Sequence, residues 1–198
     1  MTVKSVHIVD DDKQHRSSLS WFLRTSDDYS VRDYGSAREF LRKYKDTKPA
    51  VLLFDVHMPD IDGIELLEIM QRENVLASVV MLTGYGTVST AMKAVKLGAH
   101  DFLEKPFTER SIHVTLDEAL SVSKRRFFAA QIEAEREGAL SALTKRERHV
   151  FDRLVLGETN KMVARKLHIT ERTVETHRAN LISKLGINTL AGLIELNN

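Results

Sequence analysis

Residues able to handle a phosphoryl group or a divalent metal end four short apolar runs of this chain. The runs end at Asp10-Asp11-Asp12, at Asp55, at Thr83 and at Lys105. A carboxylate can attack a phosphorylated donor and form an acyl phosphate. The charge that develops in such a transfer is stabilised by a metal ion, a cation and hydroxyl donors. These residue types therefore fit phosphoryl transfer to an aspartate.

Parallel β-strands are the elements that would bring these residues together. Strand-like runs near 5–9, 30–34, 50–54, 78–82 and 101–104 alternate with segments of helical periodicity, which is typical of βα repeats. In such sheets the ligand crevice lies at the carboxyl ends of the strands. The pattern predicts a doubly wound, flavodoxin-like α/β domain of five parallel strands over residues 1–120, with the polar residues on one rim.

Helix boundaries in this domain follow from capping residues. Ser36 and Glu39 have capping-box spacing, Asp62 is predicted as an N-cap, and Gly98 is predicted to end a helix. Helices are accordingly expected at about 14–25, after Ser36, from Gly63, over 87–97 and from Thr108 onward.

Residues 121–142 no longer show the alternation of strand-like and helical segments. Residues 121–138 contain no proline and one glycine, and their charges are mixed, which favours a helical linker over a flexible one. Phe127 and Phe128 in this linker suggest packing against a domain or against another chain.

The remaining residues, 143–198, predict a small all-α domain. Thr144 and Glu147 form a second capping box, and Asn160 is predicted as the cap of the next helix. Helices are expected at 145–156, 160–167, 171–185 and 189–196. This domain carries ten Lys and Arg against six Asp and Glu, a modest basic excess that fits a polyanionic partner.

Composition excludes some classes of protein. The chain has no cysteine, so disulfides and thiolate metal sites are excluded. No apolar run approaches the ~18 residues of a membrane span, and the N-terminus lacks a signal-peptide core. The sequence therefore predicts a cytoplasmic protein.

Magnesium is the metal that the acidic residues would suit. Mg²⁺ prefers oxygen ligands and is commonly held by one or two carboxylates, with water and phosphate completing its shell. Asp10, Asp11 and Asp55 would supply the carboxylates, Lys105 the cation and Thr83 the hydroxyl. Asp12 is interpreted instead as a helix N-terminal residue that the helix dipole stabilises.

Four motifs closely resemble the receiver domain of two-component response regulators. They are Val-Asp-Asp-Asp at 9–12, Asp-Val-His-Met-Pro-Asp-Ile-Asp-Gly at 55–63, Leu-Thr-Gly at 82–84 and Lys-Pro-Phe at 105–107. The resemblance covers about residues 4–120. It implies phosphorylation of Asp55, giving a 4-aspartylphosphate, by a sensor histidine kinase.

The same resemblance assigns roles around Asp55. Asp11 would ligate Mg²⁺ directly, Asp10 mainly through water, and the backbone carbonyl of His57 would complete the metal shell. Thr83 and Lys105 would contact the phosphoryl group, and Phe102 would be the rotating switch aromatic that responds to Thr83. The side chain of His57 is open to two interpretations: a solvated loop histidine, or a group that tunes the lifetime of the phosphate.

The C-terminal domain resembles the LuxR-type helix-turn-helix over residues 143–196. Its hallmark runs from Asn160-Lys161 through Thr173-Val174-Glu175-Thr176-His177-Arg178-Ala179-Asn180. Such a module places hydrogen-bonding side chains in a major groove and cations on phosphates. The predicted contacts to double-stranded promoter DNA are Lys161, Arg172, Thr173, Thr176, His177 and Arg178.

Taken whole, the chain resembles a FixJ/NarL-type response regulator, a transcription regulator that is not an enzyme in the usual sense and pairs as a homodimer when phosphorylated. Two rival functions share some features. A haloacid-dehalogenase-like phosphatase would use Asp10 and Asp12, but Asp55 would then have no role. A phosphorylation-independent DNA binder would have a vestigial receiver, against which the intact acidic pocket argues.

Overall fold

Two compact units make up the chain, one up to Ala129 and one from Ala130. The structure is a computed structural model that describes residues 3–84 and 88–186. The predicted helix at 189–196 and the predicted helix start at Thr87 lie outside these residues.

Five parallel strands form the sheet of the first unit. Their order is β2-β1-β3-β4-β5, the strand order of flavodoxin-like folds, which confirms the predicted α/β architecture. The strands are β1 Lys4–Val9, β2 Tyr29–Tyr34, β3 Ala50–Asp55, β4 Ser78–Thr83 and β5 Asp101–Glu104. Every residue of β3 and β4 is buried, as expected of central strands covered on both faces.

Helices cover both faces of this sheet. The helices are α1 Lys13–Arg24, α2 Ala37–Lys43, α3 Gly63–Arg72, α4 Val88–Lys96 and α5 Glu109–Ser141. One core, around Phe40, Leu66 and Met81, lies on the side of α2 and α3. A second core, around Leu23 and Ile112, lies on the side of α1 and α5.

Side-chain caps start these helices much as the sequence predicts. Asp62 accepts from the Glu65 amide, and Glu65 accepts in return from the Asp62 amide. Ser36 accepts from the Glu39 amide, but the Glu39 carboxylate accepts from Gly35 and not from Ser36. The second half of that capping box is therefore displaced by one residue.

Helix α5 continues without interruption through most of the segment predicted as a linker. In its first half, the buried Ser123 hydroxyl accepts from the Ala50 amide at 3.2 Å and donates to the Leu76 carbonyl at 3.2 Å. Ala50 begins β3, and Leu76 lies just before β4. One side chain of α5 thus connects the starts of two central strands.

Between α5 and residue 186, where the described part ends, the structure has three short helices: α6 Lys145–Leu154, α7 Asn160–Leu167 and α8 Glu171–Leu185. Thr144 and Glu147 form the predicted capping box of α6. The N-cap of α7 is Thr159, which accepts from the Met162 amide, and not the predicted Asn160. These helices share a core that includes Val150, Phe151, Leu154, Val163, Val174 and Leu181.

An ion pair between the buried Glu147 and the partly exposed Lys184 joins α6 to α8. The Lys184 ammonium donates to Glu147 Oε2 at 2.7 Å. This hydrogen bond, together with those to Thr144, holds the pKa of Glu147 at about 2. The carboxylate that caps α6 is therefore charged throughout the physiological pH range.

His7 in β1 is a buried titratable residue, with 6% of its surface exposed. Its Nδ1 lies 2.9 Å from the Tyr34 hydroxyl, and its ring packs against Tyr44. Burial, with smaller contributions from the charges of Arg32 and Lys48, lowers the pKa of His7 from 6.5 to about 4.

We expect this shift to make the free energy of unfolding depend on pH. Between pH 6.5 and about 4 the unfolded chain binds a proton that folded His7 does not. Stability should therefore fall as the pH decreases through this range, by at most about 3 kcal/mol. Urea unfolding should show a smaller decrease for His7→Asn, whose amide can replace Nδ1. The exposed His149→Asn is the control and should behave like the wild type.

Candidate functional site

Four predicted residues lie where the strands end, on one rim of the sheet. Asp55 and Thr83 are the last residues of β3 and β4, and Asp10 and Lys105 come directly after β1 and β5. Their positions follow from the parallel order of the strands, because parallel strands all end at the same edge.

Lys105 connects the two buried carboxylates of this rim. Its ammonium donates to Asp10 Oδ2 at 2.7 Å and to Asp55 Oδ1 at 2.6 Å. Asp10 and Asp55 are only 2% and 7% exposed. Each second carboxylate oxygen accepts a backbone amide at 2.8 Å, from Asp12 and from His57 respectively. Both carboxylates are thereby fixed in orientation.

The charges of this cluster depend on one another. Burial raises the pKa of Asp55, and the hydrogen bond and charge of Lys105 act in the opposite direction. For Lys105, burial lowers the pKa, but its hydrogen bonds to Asp10 and Asp55 outweigh burial and leave the pKa raised. The lysine is therefore a positive charge at neutral pH beside the candidate acceptor.

The other acidic residues of the first motif differ in their surroundings. Asp12 caps α1 by accepting from the amides of Gln14 and His15 at 2.7 and 3.2 Å, as predicted. Its hydrogen bonds to these amides lower the pKa of Asp12. Asp11 is exposed beside the rim. The capping role of Asp12 weakens the phosphatase alternative, which needs that carboxylate in the pocket.

The remaining candidates surround the pocket at different depths. Thr83 is buried, His57 is exposed, and Phe102 is half-buried against the core that contains Phe40. Phe102 pairs with Met81, and Thr83 pairs with Glu104 on the same two neighbouring strands. Among residues 3–84 and 88–186, no three acidic or histidine side chains form a ready metal cluster.

Arg16 supports the pocket, although the sequence analysis did not identify it. Its guanidinium donates to the backbone carbonyls of Asp10 and Asp11 at 2.6 and 3.4 Å. It also lies 3.7 Å from the Asp33 carboxylate. Arg16 therefore holds the acidic loop from its backbone side. Its position one helical turn after Asp12 is the only signal in the sequence.

Gly63 is a second supporting residue whose role the sequence analysis missed. A Cβ atom at this position would lie 2.1 Å from the carbonyl oxygen of Asp55. The Gly63 amide donates to the Val56 carbonyl oxygen at 3.0 Å. The start of α3 therefore packs directly against the backbone of the candidate acceptor, and only glycine fits there.

A groove of about 550 Å³ opens beside the pocket. Asp10 and Lys105 line one part of it, and apolar side chains of α1 and α5 and of the loop after β5 line another. Its main apolar residues are Leu19, Phe22, Pro106, Phe107 and Ile112.

The second unit contains a helix-turn-helix formed by α7 and α8. His168 ends α7 in the left-handed backbone region, with φ 55°, and Thr170 caps α8 by accepting from the Thr173 amide. The small buried Ala164 lies on α7, and the buried Val174 lies on α8. This geometry presents the first turns of α8 at the surface.

The predicted DNA contacts occupy different faces of α8. Arg172 and Thr176 are exposed and one turn apart, so they share the outer face. Arg178 lies between the buried Val174 and Leu181 along the inner side and is half-buried. Its long side chain can reach the edge of the helix while its stem packs inside.

The other three candidates lie around these faces. Thr173 and His177 are half-buried on α8, and Lys161 is exposed on the first turn of α7. The Thr176 hydroxyl donates to the Arg172 carbonyl at 3.0 Å, which leaves its lone pairs and methyl group outward.

Two protein families match this chain over separate segments. Residues 6–117 match the response regulator receiver domain, and residues 141–196 match the bacterial regulatory proteins of the luxR family. The chain belongs to the response regulators that combine a receiver domain with a LuxR-type DNA-binding domain.

Individual relatives match almost the whole chain. The transcriptional regulatory protein FixJ of Bradyrhizobium diazoefficiens is 34% identical over 197 residues, covering 99% of this chain and 96% of that protein. FixJ of Rhizobium meliloti is 36% identical, with the same coverage. The solved response regulator StyR is 32% identical with a TM-score of 0.87, covering 99% of this chain and 98% of that one.

No helix in the described part of the chain combines the length and apolar character needed to span a membrane.

Proposed function

We propose that this chain is a DNA-binding transcriptional response regulator switched by phosphorylation of Asp55. The observation that carries the proposal is the buried Asp55 carboxylate at the end of β3, hydrogen-bonded to Lys105. The receiver-family match and the transcription regulators among the relatives support it. We assign residues 1–120 to the receiver, 121–142 to the linker and 143–198 to DNA binding.

Phosphoryl transfer would occur from a histidine of a sensor kinase. An Asp55 oxygen attacks phosphorus, the new O–P bond forms, and the P–N bond to the donor histidine breaks. Lys105 neutralises charge on the transferred group, and Thr83 offers its hydroxyl to a phosphoryl oxygen. Slow attack of water on the aspartyl phosphate returns the carboxylate and ends the signal.

Magnesium fits the donors of this pocket. Asp10, Asp11, Asp55 and the His57 carbonyl offer oxygen atoms alone, the ligand type that Mg²⁺ prefers. When bound, the ion would offset the repulsion between the incoming phosphoryl group and the carboxylates. Arg16 would hold the loop that carries Asp10 and Asp11.

The kinase would approach along the groove beside the pocket. This groove reaches Asp10 and Lys105 and offers apolar contacts from Leu19, Phe22 and Phe107. A protein that fills it brings its own phosphohistidine close to the acceptor, and burial of these side chains contributes to affinity.

Phosphorylation would be relayed through Thr83 and Phe102. Movement of Thr83 toward the phosphoryl oxygens leaves space into which Phe102 can turn. Because phenylalanine has no hydroxyl, the two positions of this ring differ in packing and not in a hydrogen bond. The neighbouring α4 exposes Val88, Met92 and Val95, which lie on one face because of their spacing. We assign this face as the contact between phosphorylated receivers.

At low protein concentration, where the unmodified chain is a monomer, we expect beryllofluoride with Mg²⁺, which mimics the phosphoryl group, to shift the protein toward dimer and to tighten operator binding. Light scattering and DNA titration measure the two effects. Val95→Lys should prevent the shift because it places a charge on the α4 face. Val3→Lys, which alters another exposed valine, should not. Identical mass and affinity with and without the mimic would contradict phosphorylation-driven pairing.

DNA binding would use the outer face of α8, with Arg172 and Thr176 facing base edges and Lys161 facing phosphate. Thr173, His177 and Arg178 would lie along the groove walls. Arg172 is suited to base edges because its guanidinium can bind guanine in a bidentate manner.

Arg178→Ala should weaken DNA binding equally for specific and unrelated sequences. Because Arg178 emerges from the inner side of α8, it can reach phosphate and not the groove floor. The dependence of log affinity on log salt should become shallower by about one unit. Titrations at several salt concentrations measure both quantities. A loss confined to the operator would instead assign Arg178 to base recognition.

A further inference from the structure

An exposed apolar pair marks the middle of α5. Phe128 is 66% exposed and Ile132 is 49% exposed. Residues four apart lie on the same side of a helix, so the two side chains form one patch. Nothing in the phosphorylation or DNA-binding roles proposed above uses this patch.

The patch is the centre of a longer stripe along α5. The stripe consists of residues spaced alternately by four and three: Ser121, Arg125, Phe128, Ile132, Glu135 and Ala139. Five of them are exposed, and Ala139 is half-buried. This spacing is the a/d pattern by which one helix packs along another.

The stripe faces away from the sheet. In its first half, α5 buries Ile112, Leu116 and Ala119 in the receiver core. A helical period of 3.6 residues places these side chains almost opposite Phe128. The side of α5 that carries the stripe is therefore separate from the side that the receiver already covers.

Opposite charges stand at equal distances from the centre of the stripe. Arg125 precedes Phe128 by three residues, and Glu135 follows Ile132 by three. Within the described ranges, neither side chain forms an ion pair, and Glu135 accepts only from the Gln131 amide at 2.9 Å. Both charges are available to a partner.

We propose that this stripe is a self-association surface on which α5 pairs with α5 of a second copy in antiparallel orientation. With the two-fold axis at residue 130, Phe128 faces Ile132 of the other copy, Arg125 faces Glu135, and Ser121 faces Ala139. Each contact occurs twice, as a two-fold interface requires. Every layer joins an a position to a d position, as in antiparallel coiled coils.

The charges select this orientation. A parallel pair would place Arg125 against Arg125 and Glu135 against Glu135, which is unfavourable. In the antiparallel pair, Arg125 instead faces Glu135 at both ends, which is attractive. Phe128 and Ile132 lie at the centre of the contact in either orientation. The surface involves neither the rim nor α4, so this association does not require phosphorylation.

The first experiment exchanges charges in the full chain, without phosphodonor or beryllofluoride. Sedimentation at concentrations up to about 1 mM, well above those used for light scattering, should show a weak, concentration-dependent dimer for the wild type. Arg125→Glu and Glu135→Arg should each weaken it at least tenfold, because each homodimer then contains two like-charged pairs. An equimolar mixture should recover wild-type affinity, because both pairs are again opposite. Arg126→Glu makes the same charge change off the stripe and should have no effect.

The second experiment fixes the orientation by disulfide cross-linking, since the chain has no cysteine of its own. Ser121→Cys and Ala139→Cys should not cross-link separately, because in the antiparallel pair the two copies of each position are about 27 Å apart. Mixed under oxidising conditions, they should form a heterodimer, because a disulfide needs Cα atoms within about 7 Å.

Two results would overturn the proposal. One is a wild-type monomer at about 1 mM, which corresponds to no useful affinity. The other is cross-linking of Ser121→Cys with itself but not with Ala139→Cys, which would show a parallel pair. Failure of the charge mixture to restore the dimer would equally exclude the Arg125–Glu135 contact.

Discussion

Asp55→Asn is expected to abolish phosphoryl uptake while leaving the fold intact. The amide has the shape of the carboxylate, so it still fills the space beside Lys105 at the end of β3. It lacks the negative charge and the nucleophilic oxygen needed to attack phosphorus. Treatment with acetyl phosphate and Mg²⁺, followed by mass spectrometry, should show the added mass in the wild type alone.

Asp60→Asn is the matched control for this experiment. Asp60 belongs to the same loop, but its carboxylate is exposed and, among the described residues, forms an ion pair with Arg38 at 3.4 Å. Its left-handed backbone, with φ 68°, also suits asparagine. Normal phosphorylation of this control is expected. Persistent labelling of Asp55→Asn would move the acceptor elsewhere, with Asp10 the nearest carboxylate that shares Lys105.

Gly63→Ala is expected to be severe for both stability and phosphorylation. The new methyl group would lie 2.1 Å from the Asp55 carbonyl oxygen and 2.9 Å from the Met81 methyl carbon. A methionine side chain can move aside, but a carbonyl of a central strand cannot. We expect a loss of about 3 kcal/mol in the free energy of unfolding, the upper part of the range for overpacking. Asp55 should also accept phosphate more slowly.

Gly138→Ala provides the comparison. A Cβ at Gly138 meets nothing within 4 Å, and the residue lies within α5. Alanine should therefore stabilise the chain, by roughly 0.5–1 kcal/mol, because it loses less backbone freedom on folding. Urea unfolding of the two variants measures both effects. Equal stability of Gly63→Ala and the wild type would show that α3 can retreat without disturbing Asp55.

Much of the fold follows from patterns that are local in the sequence. Short strand-like runs between helical segments locate all five strands. Asp62 and Thr144 locate helix starts because each cap acts on amides within three residues. The predicted cap of α7, Asn160, was wrong. Thr159 and Asn160 both carry side chains that can cap a helix, so the sequence alone does not choose between them; in the structure Thr159 accepts from the Met162 amide.

The rim was predictable because strand ends in a parallel sheet meet at one edge. That rule is enough to bring Asp10, Asp55 and Lys105 together. Arg16 and Gly63 escaped prediction because both act on backbone carbonyls. The direction of a carbonyl, and the closeness of a helix to it, depend on tertiary packing that no residue pattern records.

The hydroxyl of Ser123 has a consequence for how a signal spreads through the sheet. It connects Ala50, the first residue of β3, to Leu76, two residues before β4, at the end of the strands farthest from Asp55. Strands held at one edge resist sliding past each other. The charge that phosphorylation adds at Asp55 should therefore cause side chains to rotate and the loops beyond the strands to move, while the strands keep their register. Amide hydrogens near Ala50 should exchange at nearly the same slow rate in both states of the switch.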